Sequence, residues 1–295
     1  MKVRIGVGAG RLGSTGDELT ALVDDIDRFG FDSLWLPERL TESALDPIVA
    51  LAWAGAHHRR LKLGTTMLLP GRHPLRLAKQ IATLDSLSGG RLLLTFVPGI
   101  AQGAERDAVG VPPAARGRAI DELFPVLRAL WSGERVSYAG EFGAFSETTI
   151  SPLPVQQPID VWLGGLAPAS LIRCGRLSDG WLPALCTPLE AERGRQVIER
   201  AADDAGRRID PEHFGVSIGY ATTPLDERIA AGLAVRAKGR PLEELVPVGY
   251  DRLRQLLEAF ITVGFSKFVL RPIAVPAGWN EELAGLADAV AGLQS

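Results

Sequence analysis

Apolar positions along this chain fall into two alternating patterns. Short unbroken runs occur at VRIGVG (residues 3–8), SLWLP (33–37), LKLGTTMLL (61–69), RLLLTFV (91–97), IDVWLGG (159–165), SDGWLP (178–183), GVSIGYA (215–221) and KFVLRP (267–272), and each reads as a buried strand. Between them the spacing becomes helical. Leu19, Leu22, Val23, Ile26 and Phe29 share one face of a predicted helix over 17–29, closed by Gly30. Helices are predicted likewise over 47–56, over 74–87 with Pro in the first turn, and over 115–130. The strand runs are continuous instead of alternating, as expected when both faces of a parallel sheet are covered. About eight strand–helix units in strict alternation predict a closed (β/α)8 TIM barrel in preference to an open doubly wound sheet.

Two segments depart from that rhythm. RVSYAGEFGAFSETTIS, at 135–151, has aromatics and turn glycines and predicts an extended hairpin inserted after the fourth helix, within a segment bounded at 133–158. Residues 225–247, rich in Ala, Arg and Glu, predict an extra helical stretch before the last unit. Residues 1–295 are otherwise expected to form a single barrel domain.

Composition narrows the function classes. A formal net charge of −3, with no Lys/Arg stripe interleaved with aromatics, gives no reason to expect nucleic acid. No uninterrupted apolar run is long enough to span a bilayer, so no membrane partner is expected. The N-terminus, MKVRIGVGAGRLG, lacks the pattern of a secretory signal, and Cys174 and Cys186 are expected to be reduced and packed. The expectation is a cytoplasmic protein acting on a small molecule.

In a barrel of this kind the carboxyl ends of the strands surround one mouth, where ligand-binding groups sit. Glu38 and Arg39 follow the second strand directly and are the candidate catalytic pair; the plain alternative is a loop ion pair. Arg39 would act only as a fixed positive charge opposite an anion, because guanidinium does not titrate in the useful range. LGGLAPAS, 163–170, ends a strand in two glycines and opens a helix, the arrangement that presents backbone N–H groups to a phosphate. Trp181 and Arg271, at the ends of the sixth and eighth strands, are candidates for the substrate wall. His73 fits a loop or cap, and His57 and His58 lie at the far end of a helix. No His, Cys, Asp and Glu set has metal-ligand spacing. GVGAGRLG lacks the unit that should follow a dinucleotide fingerprint.

The run KLGTTMLLPGRHPLRLAKQIATLDSLSGGRLLLTFVPG resembles the bacterial luciferase-like oxidoreductases. The resemblance continues through GVPPAARGRAIDELFPVLRALWSGERV and PIDVWLGGLAPASLIRCGRLSDGWLP, and more loosely through VGYDRLRQLLEAFITVGFSKFVL. The LWSGERV and DGW stretches are most similar to the branch using the 5-deazaflavin coenzyme F420. The resemblance implies an eight-stranded barrel with an insertion, commonly a homodimer, and hydride transfer between the deazaflavin and a small organic substrate. It implies that Gly164, Gly165, Leu166 and Ala167 cradle the cofactor phosphate. It further implies a non-prolyl cis peptide at Thr66-Met67 behind the ring, with Pro98 and Gly99 beside it. The branch often has His after the second strand where this chain has Arg39, and acidic and Asn residues after the fourth where it has Ile100 and Gly103. Two alternatives stay open: an FMN-dependent monooxygenase on the same fold, and a cofactor-binding protein without turnover.

Overall fold

A computed structural model describes residues 1–10, 15–100 and 103–294; the GVGAGRLG run extends beyond these described residues. The strands are Arg4–Gly8 (β1), Ser33–Pro37 (β2), Lys62–Leu68 (β3), Leu92–Val97 (β4), Val136–Gly140 (β5), Gly143–Thr148 (β6), Val161–Leu163 (β7), Gly180–Trp181 (β8), Gly215–Tyr220 (β9) and Lys267–Pro272 (β10). The helices are Gly16–Arg28 (α1), Pro47–His57 (α2), Pro74–Ser88 (α3), Glu105–Ala108 (α4), Arg116–Trp131 (α5), Pro168–Leu177 (α6), Pro188–Asp204 (α7), Glu227–Ala237 (α8), Leu242–Leu245 (α9), Tyr250–Thr262 (α10) and Trp279–Ala289 (α11). Eight strands form one sheet in the order β8-β7-β4-β3-β2-β1-β10-β9. All its ladders are parallel, and bridges from Trp181 to Phe214 and from Ala184 to Ser217 join the two edges into a barrel. The segment after α5 is the antiparallel hairpin β5–β6, and the stretch before the last unit supplies α8 and α9.

Local chemistry places the helices. Thr15 and Glu18 form a reciprocal capping box at the start of α1, and Thr187 and Glu190 form another at α7, so orphan N–H groups are satisfied there. Gly89 closes α3 in the left-handed conformation, φ 66°, which a residue without Cβ adopts at no steric cost. Outward-facing strand residues such as Ile5, Leu34, Leu63 and Phe268 pack against the buried faces of these helices in one continuous core. That burial is the main stabilising term, at roughly 1.5–3 kcal/mol for each fully buried large side chain.

The interior of the barrel is built differently. Gly6 of β1 and Gly64 of β3 are inward positions, and the ring of Trp35 fills the space they leave: a Cβ at Gly6 or Gly64 would stand 2.8 or 2.2 Å from it. Trp35 Nε1 donates to Ser33 Oγ at 2.9 Å, and the indole packs with Leu182 and Val269. This aromatic plug closes the barrel below its carboxyl-end mouth.

The motifs that mark the family resemblance are scaffold. Arg91 of LSGGR donates to the carbonyls of Ser88, His58, Leu61 and Gly55 and so ties two helix ends to the amino-terminal pole. Asp85, fully buried, accepts from the backbone N–H and the amide of Gln156 at 2.9 and 2.6 Å. Asp179 of SDGW accepts from Val161 N–H at 2.8 Å and pairs with Arg128 and Arg207. No helix among the described residues is long and apolar enough to cross a membrane.

Candidate active site

A cavity of about 310 Å³ opens at the carboxyl ends of the strands, directly above Trp35. Of the residues marked from sequence, Glu38, Arg39, Thr66, Pro98, Gly99, Gly164, Gly165, Leu166 and Arg271 line it; Met67, Ala167 and Trp181 do not. The lining residues lie on, or just after, each of the eight barrel strands, as the barrel topology requires.

Glu38 and Arg39 do not form a pair with each other. Glu38 continues β2 by donating its N–H to Thr66 O at 2.8 Å, and its side chain turns toward the end of β3. There Oε2 accepts from Leu68 N–H at 2.7 Å and Oε1 pairs with Arg72. Arg72 is itself anchored by Nε donating to Leu68 O at 3.0 Å. Burial raises the Glu38 carboxyl above its ordinary value, against the lowering pull of Arg72 and of the Leu68 N–H. Arg39 instead faces Glu42, 3.8 Å away. Arg72, two residues before Pro74 in the PGRHP loop, was missed by the sequence reasoning, which weighed only His73 there.

The β4 loop that carries Pro98 and Gly99 is held by a second residue the sequence reasoning missed. Arg116 is 2% exposed, and among the described residues its hydrogen bonds all go to backbone carbonyls. Its guanidinium donates to the carbonyls of Val111 at 3.0 Å, Pro98 at 3.3 Å, Ile100 at 2.9 Å and Arg106 at 2.6 Å. Burial lowers its pKa, but an arginine stays charged. Gly99 has φ +84°, and a Cβ there would stand 2.7 Å from Leu68 and 3.2 Å from Arg116. Glu105, on the following short helix, accepts from Leu40 N–H at 3.0 Å and ties this loop to the one after β2.

Across the mouth, Gly164 N–H donates to Phe96 O at 3.0 Å and ends β7, and Gly165 turns the chain with φ +118°. A Cβ on Gly164 would meet Val97 at 2.7 Å, and one on Gly165 would meet Ser170 at 3.0 Å. Helix α6 begins three residues later with Ala167 at its N-cap, where no side chain caps the helix. The turn therefore admits a group only against bare backbone at a helix N-terminus, the surroundings a phosphate needs.

Two expectations, Met67 and Trp181, are corrected by the strand alternation. Successive strand residues point to opposite sides, so Thr66 and Leu68 face the cavity while Met67 between them is fully buried in the outer core. The cis peptides among the described residues are Ser151-Pro152 and Gln157-Pro158; Thr66-Met67 is trans. Trp181 likewise points out of the barrel, fully buried against Phe265 and over Gly194 of α7, and is no part of a substrate wall. It acts on the mouth indirectly: its Nε1 donates to Gly165 O at 3.0 Å and fixes the glycine turn. Ala167 is set back as the helix cap, outside the cavity lining.

The described residues hold no group of His, Cys, Asp and Glu suited to a metal ion, and no His lines the cavity. His57 and His58 pair with Asp24 and Asp27, away from the mouth, His213 lies by Trp162 below the plug, and His73 stands against Phe145 of the hairpin. The arrangement offers a glycine-walled anion cradle, an apolar floor and fixed cationic groups, and no imidazole acid or base.

Residues 2–256 match the sequence profile of a family described as luciferase-like monooxygenase. An uncharacterized protein of Mycobacterium tuberculosis is 38% identical over 152 residues, covering 50% of this chain and 52% of that protein. The F420-dependent glucose-6-phosphate dehydrogenase of Nakamurella multipartita is 30% identical over 212 residues, covering 65% of this chain and 60% of that one. The chain thus spans only about half the length of the first of these curated relatives. An F420-dependent secondary alcohol dehydrogenase, solved with an F420–acetone adduct, superposes with a TM-score of 0.83 over the whole of both chains at 17% identity, which shows a shared barrel fold.

Proposed function

The chain belongs to the luciferase-like monooxygenase family of oxidoreductases, and on that footing we propose that it is an F420-dependent oxidoreductase. In this reading it moves a hydride between the deazaflavin and a small organic substrate. One observation carries the proposal: residues from β2, β3, β4 and β7 marked for ring and phosphate contact meet around a single cavity above an aromatic plug. A bound deazaflavin supplies a ring carbon that gives or accepts hydride and reacts poorly with oxygen.

The chain's own residues do the rest. Gly164, Gly165 and Leu166 would hold the cofactor phosphate against backbone, with Trp181 fixing the turn from behind. Thr66, Leu68, Pro98 and Gly99 would line the slot for the ring, and the packed Trp35, Leu182 and Val269 would help exclude water from the cavity floor. Glu38 is a positioning residue: both of its oxygens are engaged, so its task is to hold Arg72 and the end of β3 in place. Arg39 would act as a fixed positive charge on the cavity wall, beside Glu42.

The test is a fluorescence titration of the apo protein with F420 and, separately, with FMN. Binding of F420 at micromolar concentration without comparable FMN binding is the expected result. FMN binding without F420 binding would replace this reading with a flavin-dependent monooxygenase. With F420 bound, a panel of enones, nitro compounds and alcohols then reads turnover; silence throughout would leave a cofactor-binding protein without the reaction.

A further inference from the structure

Beyond Arg39 the cavity does not end. A second lobe of about 290 Å³ continues from it, and the two lobes share Arg39, Ile100, Arg236 and Arg271 on their linings. The second lobe adds Arg228, and its one acidic lining residue is Glu42. Among the described residues, four guanidinium groups therefore line this lobe against one carboxylate, Glu42, which lies 3.8 Å from Arg39.

The fold places these groups deliberately. Arg271 is an inward position of β10, flanked by glycines on both neighbouring strands: a Cβ at Gly8 of β1 would stand 3.1 Å from it, and one at Gly219 of β9 also 3.1 Å. A side chain at either position would fill the trough along which Arg271 extends. On α8, Arg228, Gly232 and Arg236 recur at intervals of four, so they share one helix face, and all three line the lobe. Gly232 in the middle leaves open space between the two arginines. Burial lowers the Arg236 pKa first and the charge of Arg39 lowers it further, against the raising pull of Glu42 and Glu105. A cavity lined by an excess of one sign of charge concentrates ions of the other.

Position around the barrel decides which anion. The glycine turn follows β7, whereas the arginines follow β10 and β2 on either side of β1, and β1 lies four strands from β7 in both directions around the closed sheet. The cradle and the arginines are on opposite walls. An organic molecule reaching from the ring slot toward Arg236 and Arg271 would meet them with its far end.

We propose that this arginine lobe is a substrate subsite, and that the substrate is a small molecule bearing a carboxylate or phosphate at the end remote from the reacting carbon. The inference rests on the cofactor reading only for calling the ligand a substrate; the anion site itself stands on the lobe. The same chemistry could come from an acidic tail of the cofactor, so the experiment separates the two sources.

Inorganic phosphate is titrated calorimetrically at low ionic strength into the cofactor-loaded full chain, wild type and Arg236→Gln/Arg271→Gln. With the glycine cradle filled, wild type is expected to bind one phosphate and the double variant to bind it at least tenfold more weakly, with both melting at similar temperature. Equal affinity in the two proteins, or no phosphate binding to loaded wild type, overturns the proposal. F420 and a truncated deazaflavin without phosphate or anything beyond it are compared on the same pair. If the double substitution weakens F420 tenfold but spares the truncated form, the arginines belong to the cofactor and the proposal fails. If no deazaflavin binds at all, the redox reading falls, and the phosphate titration of apo wild type against the double variant still reads the lobe. Should that variant not fold, Arg228→Gln, an exposed position at the lobe's edge, is expected to lower phosphate affinity about threefold, and an unchanged affinity counts against the lobe.

Discussion

Replacing Arg116 by methionine removes one guanidinium and leaves four backbone carbonyls of the β4 loop without their donor. Hydrogen bonds from a charged group contribute about 1.5–3 kcal/mol each, a gross of roughly 6–12 kcal/mol for four. Burying an unpaired guanidinium costs several kcal/mol in lost hydration, and methionine spares that cost while filling much of the stem volume. The remainder should be about 3–5 kcal/mol, the range seen when one partner of a buried charged arrangement is deleted. Unfolding entropy is about 2.1 cal/mol/K per residue, so over 295 residues this corresponds to a melting temperature lower by roughly 5–8 °C.

Much of that loss can be taken locally, by release of the loop from Pro98 to Val111, so a second measurement is needed. Amide hydrogen exchange should accelerate by at least tenfold at 103–111 and leave β1 and β3 unchanged. Cofactor affinity should fall with it, because Pro98 and Gly99 lose their support. Arg116→Lys keeps the charge but has three donors and a shorter reach, and is expected to lie between parent and methionine variant. An Arg116→Met protein that melts within about 1 °C of the parent, with unchanged exchange in the loop, would refute the reasoning.

Gly165→Val places a branched side chain at φ +118° and against Ser170, and should reduce cofactor affinity at least tenfold while the melting temperature falls by only a few degrees, about what 1–3 kcal/mol of strain causes; unchanged affinity in a fluorescence titration would remove the cradle. Glu38→Gln tests a sign. Burial raises the folded carboxyl above the unfolded value of 4.5, so the folded state holds that proton more tightly, and the group's contribution to stability declines as pH rises through 4.5 and the raised value. Chemical denaturation at pH 4 and pH 7 should therefore show wild type losing stability relative to the variant as pH rises; the opposite slope would mean that Arg72 and Leu68 N–H outweigh burial. Cys174 and Cys186 are buried, and burial pushes each thiol up to about 12, so neither should react with a thiol reagent at pH 8 in the native protein and both should react in denaturant. Rapid native modification of either would show that the α6 or α7 end of the barrel opens.

The barrel was legible because it depends on a signal repeated along the whole chain. Eight apolar runs with helical spacing between them constrain topology even when one run is as short as Gly180–Trp181. The rim was partly legible for the same reason: a residue that ends a strand must lie at the mouth. What failed was the step from rim to cavity, and Met67 and Trp181 failed identically. Each sits on a strand with inward neighbours on both sides, Thr66 and Leu68 for one and Gly180 and Leu182 for the other, and the period of two sends it outward. The signal that would have found this was present, since the small residues Gly6, Gly8, Gly64 and Gly219 mark the inward register of their strands.

Arg72 and Arg116 were illegible for a different reason. Both act on backbone carbonyls of loops, and a sequence does not announce which carbonyls a loop leaves unpaired. The motifs that carry the family resemblance, with Arg91, Asp85 and Asp179 at their centres, serve the same bookkeeping of buried polar groups at the other pole and along the helix layer. A barrel can keep those residues while its mouth changes, because they bind backbone and not ligand. That separation is why the family follows from the resemblance more readily than the substrate does. Arg39 and Arg271, by contrast, line the mouth itself, Arg271 in a trough beside Gly8 and Gly219.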